Sequence, residues 1–125
     1  MEEAPNVSTA SASAEASLIE LSIESWKFSR LFARVLEKIE PEDGMRYFSQ
    51  LRYFRNRIES NLSSSNLKFV NLEGMPFDSG MAASSLNMDE FSESDNLVVD
   101  QMVEPIVMGP DGLKREGVVI LKKGE

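Results

Sequence analysis

The chain contains neither cysteine nor histidine. That removes thiol nucleophiles, imidazole bases, the usual zinc ligands and disulfide staples together, and with them most enzyme mechanisms. An enzyme is not expected, nor a metal or other cofactor. No apolar run nears the roughly 18 residues of a membrane span. The N-terminal stretch MEEAPNVSTASASAEAS opens on acid and has no apolar core of a secretion signal, so a cytoplasmic protein without a membrane partner is expected. Positive charge is scarce as well: 13 basic residues stand against 21 acidic ones, a net charge of -8. Such a balance argues against a protein whose main work is gripping nucleic acid or an anionic lipid surface.

A length of 125 residues predicts one domain, burying about two thirds of the surface its unfolded chain exposes. Self-association would add stability to so small a core. Residues 1–15 are mostly Ala, Ser, Thr, Asn, Pro and Glu with one Val, too little apolar surface to offset backbone ordering, and read as a disordered arm.

Residues 16–62 read as a helical hairpin. Leu18, Leu21, Phe28, Leu31, Phe32, Val35 and Ile39 recur at helical spacing and predict a first helix from about Ala16 to Ile39. Pro41, flanked by Glu40, Glu42 and Asp43, stops that helix and starts the next. Met45, Phe48, Leu51, Phe54, Ile58 and Leu62 then step by three or four, and the short connection makes the helices antiparallel neighbours.

From residue 63 the texture changes to short Val- and Ile-rich runs: LKFV from Leu67, NLVVDQMVEPIVM from Asn96 and GVVILKK from Gly117. Turn residues bound each run, and MGPDG at 108–112 is itself a turn signal, so residues 63–125 read as a small, mostly β domain. The fold class expected is α+β. Acid gathers in the second part, where residues 63–125 hold five basic and eleven acidic groups against eight and seven in residues 16–62.

Arg46, Arg52, Arg55 and Arg57 alternate with Tyr47 and Tyr53 in a way that could suit nucleic acid. Glu59 follows Arg55 by four residues and the hairpin is nearly neutral, which fits a solvated or interhelical charge face better. The acidic run DEFSESDN at 89–96 lacks the central Gly and terminal Glu of a calcium loop and reads as a solvated loop. A long amphipathic hairpin rich in Phe and Met usually buries a face on a partner. With two helices, a second copy is the natural candidate, and Phe28, Phe32, Phe48, Phe54, Leu51 and Ile58 are the expected dimer contacts.

The order of these features resembles the GrpE family, the nucleotide exchange factors of DnaK-type chaperones. Gly74, Met75, Pro76, Phe77 and Asp78 are similar to the family's G-x-P-F-D-P segment, with Ser79 at the final position. Glu93, Ser94 and Asp95, or Asp89 and Glu90, stand where the family has an acidic loop, and Val98, Val99 and Met102 match its next strand. Lys114 or Arg115, followed by Val118, Val119 and Ile120, is similar to its closing strand. The resemblance spans about residues 17–122. It implies a four-helix bundle across a homodimer, and a β domain that binds a DnaK-like ATPase domain and promotes ADP release in protein folding and stress response. Lys114, Arg115, Met108 and Ile120 are the implied partner contacts, and Gly74, Pro76, Phe77 and Asp78 the structural motif. The chain departs from the family at Ala82, Ala83 and Ser84, which replace H-E-A, and in having no long stalk helix before the hairpin. Those departures give the alternative, an interaction or assembly adaptor without exchange activity.

Overall fold

The first helix, α1 (Val7–Leu36), and the second, α2 (Pro41–Ser64), open the computed structural model, which describes residues 7–124. The expected disordered arm is corrected here: residues 7–15 are helical, and residues 1–6 lie outside the described residues. The composition argument weighed only apolar content. Between Val7 and Leu36 there is no Gly or Pro, and Ala, the best helix former, alternates there with tolerated Ser and Glu. At its other end α1 stops at Leu36 rather than Ile39. The Lys38 and Ile39 amides donate to carbonyls three residues back, at 3.0 and 3.4 Å, a tightened last turn. Glu40 is extended (φ -56°, ψ 136°) ahead of Pro41, as the clash with the proline ring requires.

Pro41 takes the first turn of α2, with Glu42 and Asp43 beside it at the positive end of the helix dipole. The helix runs through Ser64, two residues past the expected end, and Asn66 then adopts left-handed backbone (φ 60°), a conformation Asn tolerates better than most residues. The chain divides at this point, between Ser65 and Asn66, into two compact units. The layout is α+β, with an N-terminal helical hairpin followed by small sheets.

Within the hairpin the helices approach closely. A Cβ added at Gly44 would sit 3.3 Å from the Leu36 carbonyl oxygen. Arg55 reaches across to donate to the Ser29 carbonyl at 3.5 Å. Ser22 and Ser29 are buried on α1 beside Ile19, Ile23 and Leu36, and α2 buries Leu51 and Leu62.

The second unit holds two three-stranded sheets. In one, β1 (Lys68–Val70), β4 (Ile106–Gly109) and β5 (Gly112–Arg115) lie antiparallel in the order β1-β4-β5. In the other, β6 (Gly117–Lys123) is central, with β2 (Ala83–Ser85) parallel to it and β3 (Leu97–Glu104) antiparallel. The run from Asn96 that reads as one strand is thus two, divided at buried Pro105 and sent to different sheets. A proline has no N–H for a ladder, so the break falls there. Gly117 is where the sheets meet: a Cβ on it would come within 2.8 Å of Ile106 Cγ1 and 3.1 Å of the Glu104 carbonyl oxygen.

The core of this unit is Val99, Met102, Ile106, Val107, Val119 and Leu121. Val99 and Met102 are three apart yet both buried, because the register slips between Val99 and Gln101. A bulge of this kind restores the inward face after an extra residue.

Candidate interaction surfaces

Phe28, Phe32, Leu51 and Phe54, four of the six expected dimer contacts, converge with Gln50 on an apolar recess of about 170 Å³. The Phe28 and Phe32 rings stack at 6.3 Å. Ile58 is half-buried. Phe48 does not join the recess: six residues before Phe54, it points about 120° away around the helix. There the Arg52 guanidinium lies 5.3 Å from its ring centre, and Arg30 covers Trp26 likewise at 4.9 Å, cation–π contacts that occupy the aromatic faces. On the Phe54 side of α2 the Arg46 guanidinium lies 5.5 Å from the Tyr47 ring centre, so arginine covers aromatic faces on both flanks of the hairpin.

The segment Gly74–Asp78 is laid along β3. The Gly74 amide donates to the Val99 carbonyl at 2.8 Å, the Val99 amide to the Met75 carbonyl at 2.9 Å, and the Phe77 amide to the Leu97 carbonyl at 2.8 Å. Gly74 holds φ at 85°, which glycine adopts without a steric penalty. Pro76 bridges to Val98 and Phe77 is half-buried. The Asp78 carboxylate accepts from the Gly80 amide at 2.7 Å, closing an Asx turn.

The four implied partner contacts are not one patch. Met108, on β4, lines a shallow apolar groove with Lys68, Val70, Leu72, Met81, Ala82 and Ile106. Lys114 lays its aliphatic stem across Gly109, where a Cβ would meet its Cε at 2.7 Å. Arg115 is 3.9 Å from the Glu104 carboxylate. Ile120 belongs to β6 in the other sheet and pairs with Gln101. The β4–β5 hairpin thus carries Met108, Lys114 and Arg115 together and leaves Ile120 apart.

Two side chains that sequence reasoning passed over hold the β unit together. Asn87 pairs its amide group with the backbone of Leu121, and the Glu73 carboxylate accepts from the Met102 amide at 3.0 Å beside the β3 bulge. Neither has a sequence signal, since each partner is about 30 residues distant. The strand β2, three residues of Ala and Ser, was equally unmarked.

Among the described residues no group of three or more His, Cys, Asp or Glu could hold a metal ion, and no helix is long and apolar enough to cross a membrane. The acidic run is tied locally: Asp95 accepts from the Ser92 amide at 2.9 Å and stands 4.0 Å from Lys123. No family profile, curated protein or solved structure matches this chain.

Proposed function

We propose that this chain is a GrpE-like, non-catalytic interaction protein: its hairpin self-associates into a four-helix bundle, and its β unit binds the ATPase domain of a DnaK-like chaperone and promotes ADP release. The observation that carries this reading is the Gly-Met-Pro-Phe-Asp segment. It follows an antiparallel helical hairpin and is bonded along β3, the Val-rich strand that the resemblance places after the acidic loop. Exchange requires no chemistry of the chain's own. A protein that binds an opened ATPase cleft more tightly than a closed one shifts that equilibrium by its differential affinity, and nucleotide leaves faster. On this reading Lys114, on the β4–β5 hairpin, meets the partner.

A second reading, an assembly adaptor without exchange activity, has its own support. Ala83 and Ser84, in the stretch where the family carries H-E-A, are committed to pairing with Gly117 and Val118 of β6, and Arg115 faces Glu104 of the same chain. Release of a fluorescent nucleotide from a DnaK-type ATPase separates the two. Acceleration supports the exchange factor, binding without acceleration supports the adaptor, and no binding rejects both.

A further inference from the structure

The sheets of the β unit end in edges of different chemistry. The outer edge of β3 is covered, because Gly74–Asp78 is bonded along it. β2 offers only Ala83, Ser84 and Ser85, with no large apolar side chain to stabilise a neighbour. β5 is blunted by devices that natural edge strands use against unwanted pairing: a register slip against β4 at Val107 and Met108, and the adjacent cations Lys114 and Arg115. The remaining edge, β1, is less protected. Its single cation, Lys68, stands at the first residue, and Lys68, Phe69 and Val70 pair with Met108, Val107 and Ile106 of β4 in unbroken register. Among the described residues no backbone hydrogen bond reaches β1 from its other side. Every second residue of such a strand turns its N–H and C=O away from β4, so part of the β1 backbone faces outward with no strand to pair with.

The apolar groove lies beside that backbone. Lys68 and Val70 are on one face of β1, and their cross-strand partners Met108 and Ile106 share that face. With Leu72 and Met81 they line a groove of about 310 Å³. Lys68 is the one charged residue in the lining; it is exposed and has no ion-pair partner among the described residues. Met81 and Met108 bring flexible thioether chains, which re-pack around apolar groups of different shape.

We propose that the β1 edge is a peptide-binding site: an extended segment of a partner protein adds a strand antiparallel to β1 and sets alternate side chains into the groove. Strand addition of this kind takes affinity from the main chain and specificity from pockets for alternate side chains. Side chains two residues apart share a face and stand about 7 Å apart. A segment running past Leu72, Val70 and Lys68 in turn therefore reads apolar, any, apolar, any, then Asp or Glu. Lys68 selects the final carboxylate. The intervening positions are uncharged, because residues 63–125 hold eleven acidic groups against five basic ones and further acid on the segment would be repelled. The site does not rest on the ATPase reading, which uses Lys114 on the opposite edge of the same sheet.

Fluorescence anisotropy with the full chain tests this. The probe is a fluorescein-labelled peptide with Val-Thr-Val-Thr-Glu at its centre and Ser and Gly on either side, set against a peptide of the same residues in permuted order. The first should bind saturably and at least about tenfold more tightly. Lys68→Glu, at an exposed position, should weaken it by about tenfold or more, and a peptide with Lys in place of the Glu should bind that variant better than it binds the wild-type chain. N-methylation of the peptide separates strand addition from side-chain burial alone: blocking one alternate set of its amides should abolish binding, and blocking the other set should leave it. No saturable binding, equal affinity for the two residue orders, equal effects of both N-methylated sets, or an affinity that ignores Lys68→Glu overturns the site. Binding of an isolated DnaK-type ATPase domain to the same samples is scored separately, so the loss of one reading leaves the other standing.

Discussion

The side chain of Asn87 makes both hydrogen bonds that a neighbouring strand would make to Leu121. Its Oδ1 accepts from the Leu121 amide at 2.9 Å, and its Nδ2 donates to the Leu121 carbonyl at 2.9 Å. The parallel ladder of β2 on β6 ends at Ser85 and Val119, so this amide continues the pairing after the backbone has turned away. Asn87→Ala leaves two backbone groups of a buried residue without these partners. A loss of about 1–3 kcal/mol is expected in urea unfolding, and a change within about 0.5 kcal/mol would show that water replaces the amide there.

Gly117→Ala tests the meeting of the two sheets. The added methyl would press on Ile106 Cγ1 at 2.8 Å and on Met102 Cε and the Glu104 carbonyl oxygen at 3.1 Å. Overpacking at such a point costs about 1–3 kcal/mol. Thermal unfolding should report a lowered midpoint, and an unchanged midpoint would show that the Ile106 and Met102 side chains move aside to admit the methyl group.

Ser29 separates size from polarity in the hairpin. It is 1% exposed, and its hydroxyl donates only locally, to the Trp26 carbonyl at 2.7 Å. Ser29→Ala should therefore change stability by no more than about 0.5 kcal/mol. Ser29→Leu should cost roughly 1–3 kcal/mol by forcing the helices apart. Circular dichroism at 222 nm during urea unfolding distinguishes these outcomes; equal losses would mean that the hydroxyl, not the space, matters.

For the partner surface, Lys114→Ala is expected to lower the affinity for a DnaK-type ATPase by roughly tenfold, the scale of a single interface cation, with the helical signal and dimer unchanged. Titration calorimetry of the variant against the isolated ATPase domain measures it. Unaltered affinity would remove the β4–β5 hairpin from the contact surface.

Much of the layout was legible in the residues. The Pro41 restart, the three-four spacing of both helices, the Val-rich runs and the Pro110–Gly112 turn each reflect local physics: ring sterics, periodicity, β-branching and turn geometry. The start of α1 was missed because low hydrophobicity was weighed without the helix propensity of alanine. The second break, at Pro105, was visible as a residue type but its meaning was not, since a proline in an apolar run does not say which sheet each half joins.

Sequence alone therefore determined the order and kind of the elements, the missing imidazole and thiol chemistry, and the acidic balance, all properties of neighbouring residues or of composition. Tertiary structure decided which apolar residues are used up. Ile19, Ile23 and Leu36 are buried while Leu21 and Phe28, on the same helix, are not. Hydrophobicity and spacing are nearly the same for both sets. Only the position of α2, held close by Gly44, Ser29 and Arg55, determines which apolar residues are covered and which stay exposed.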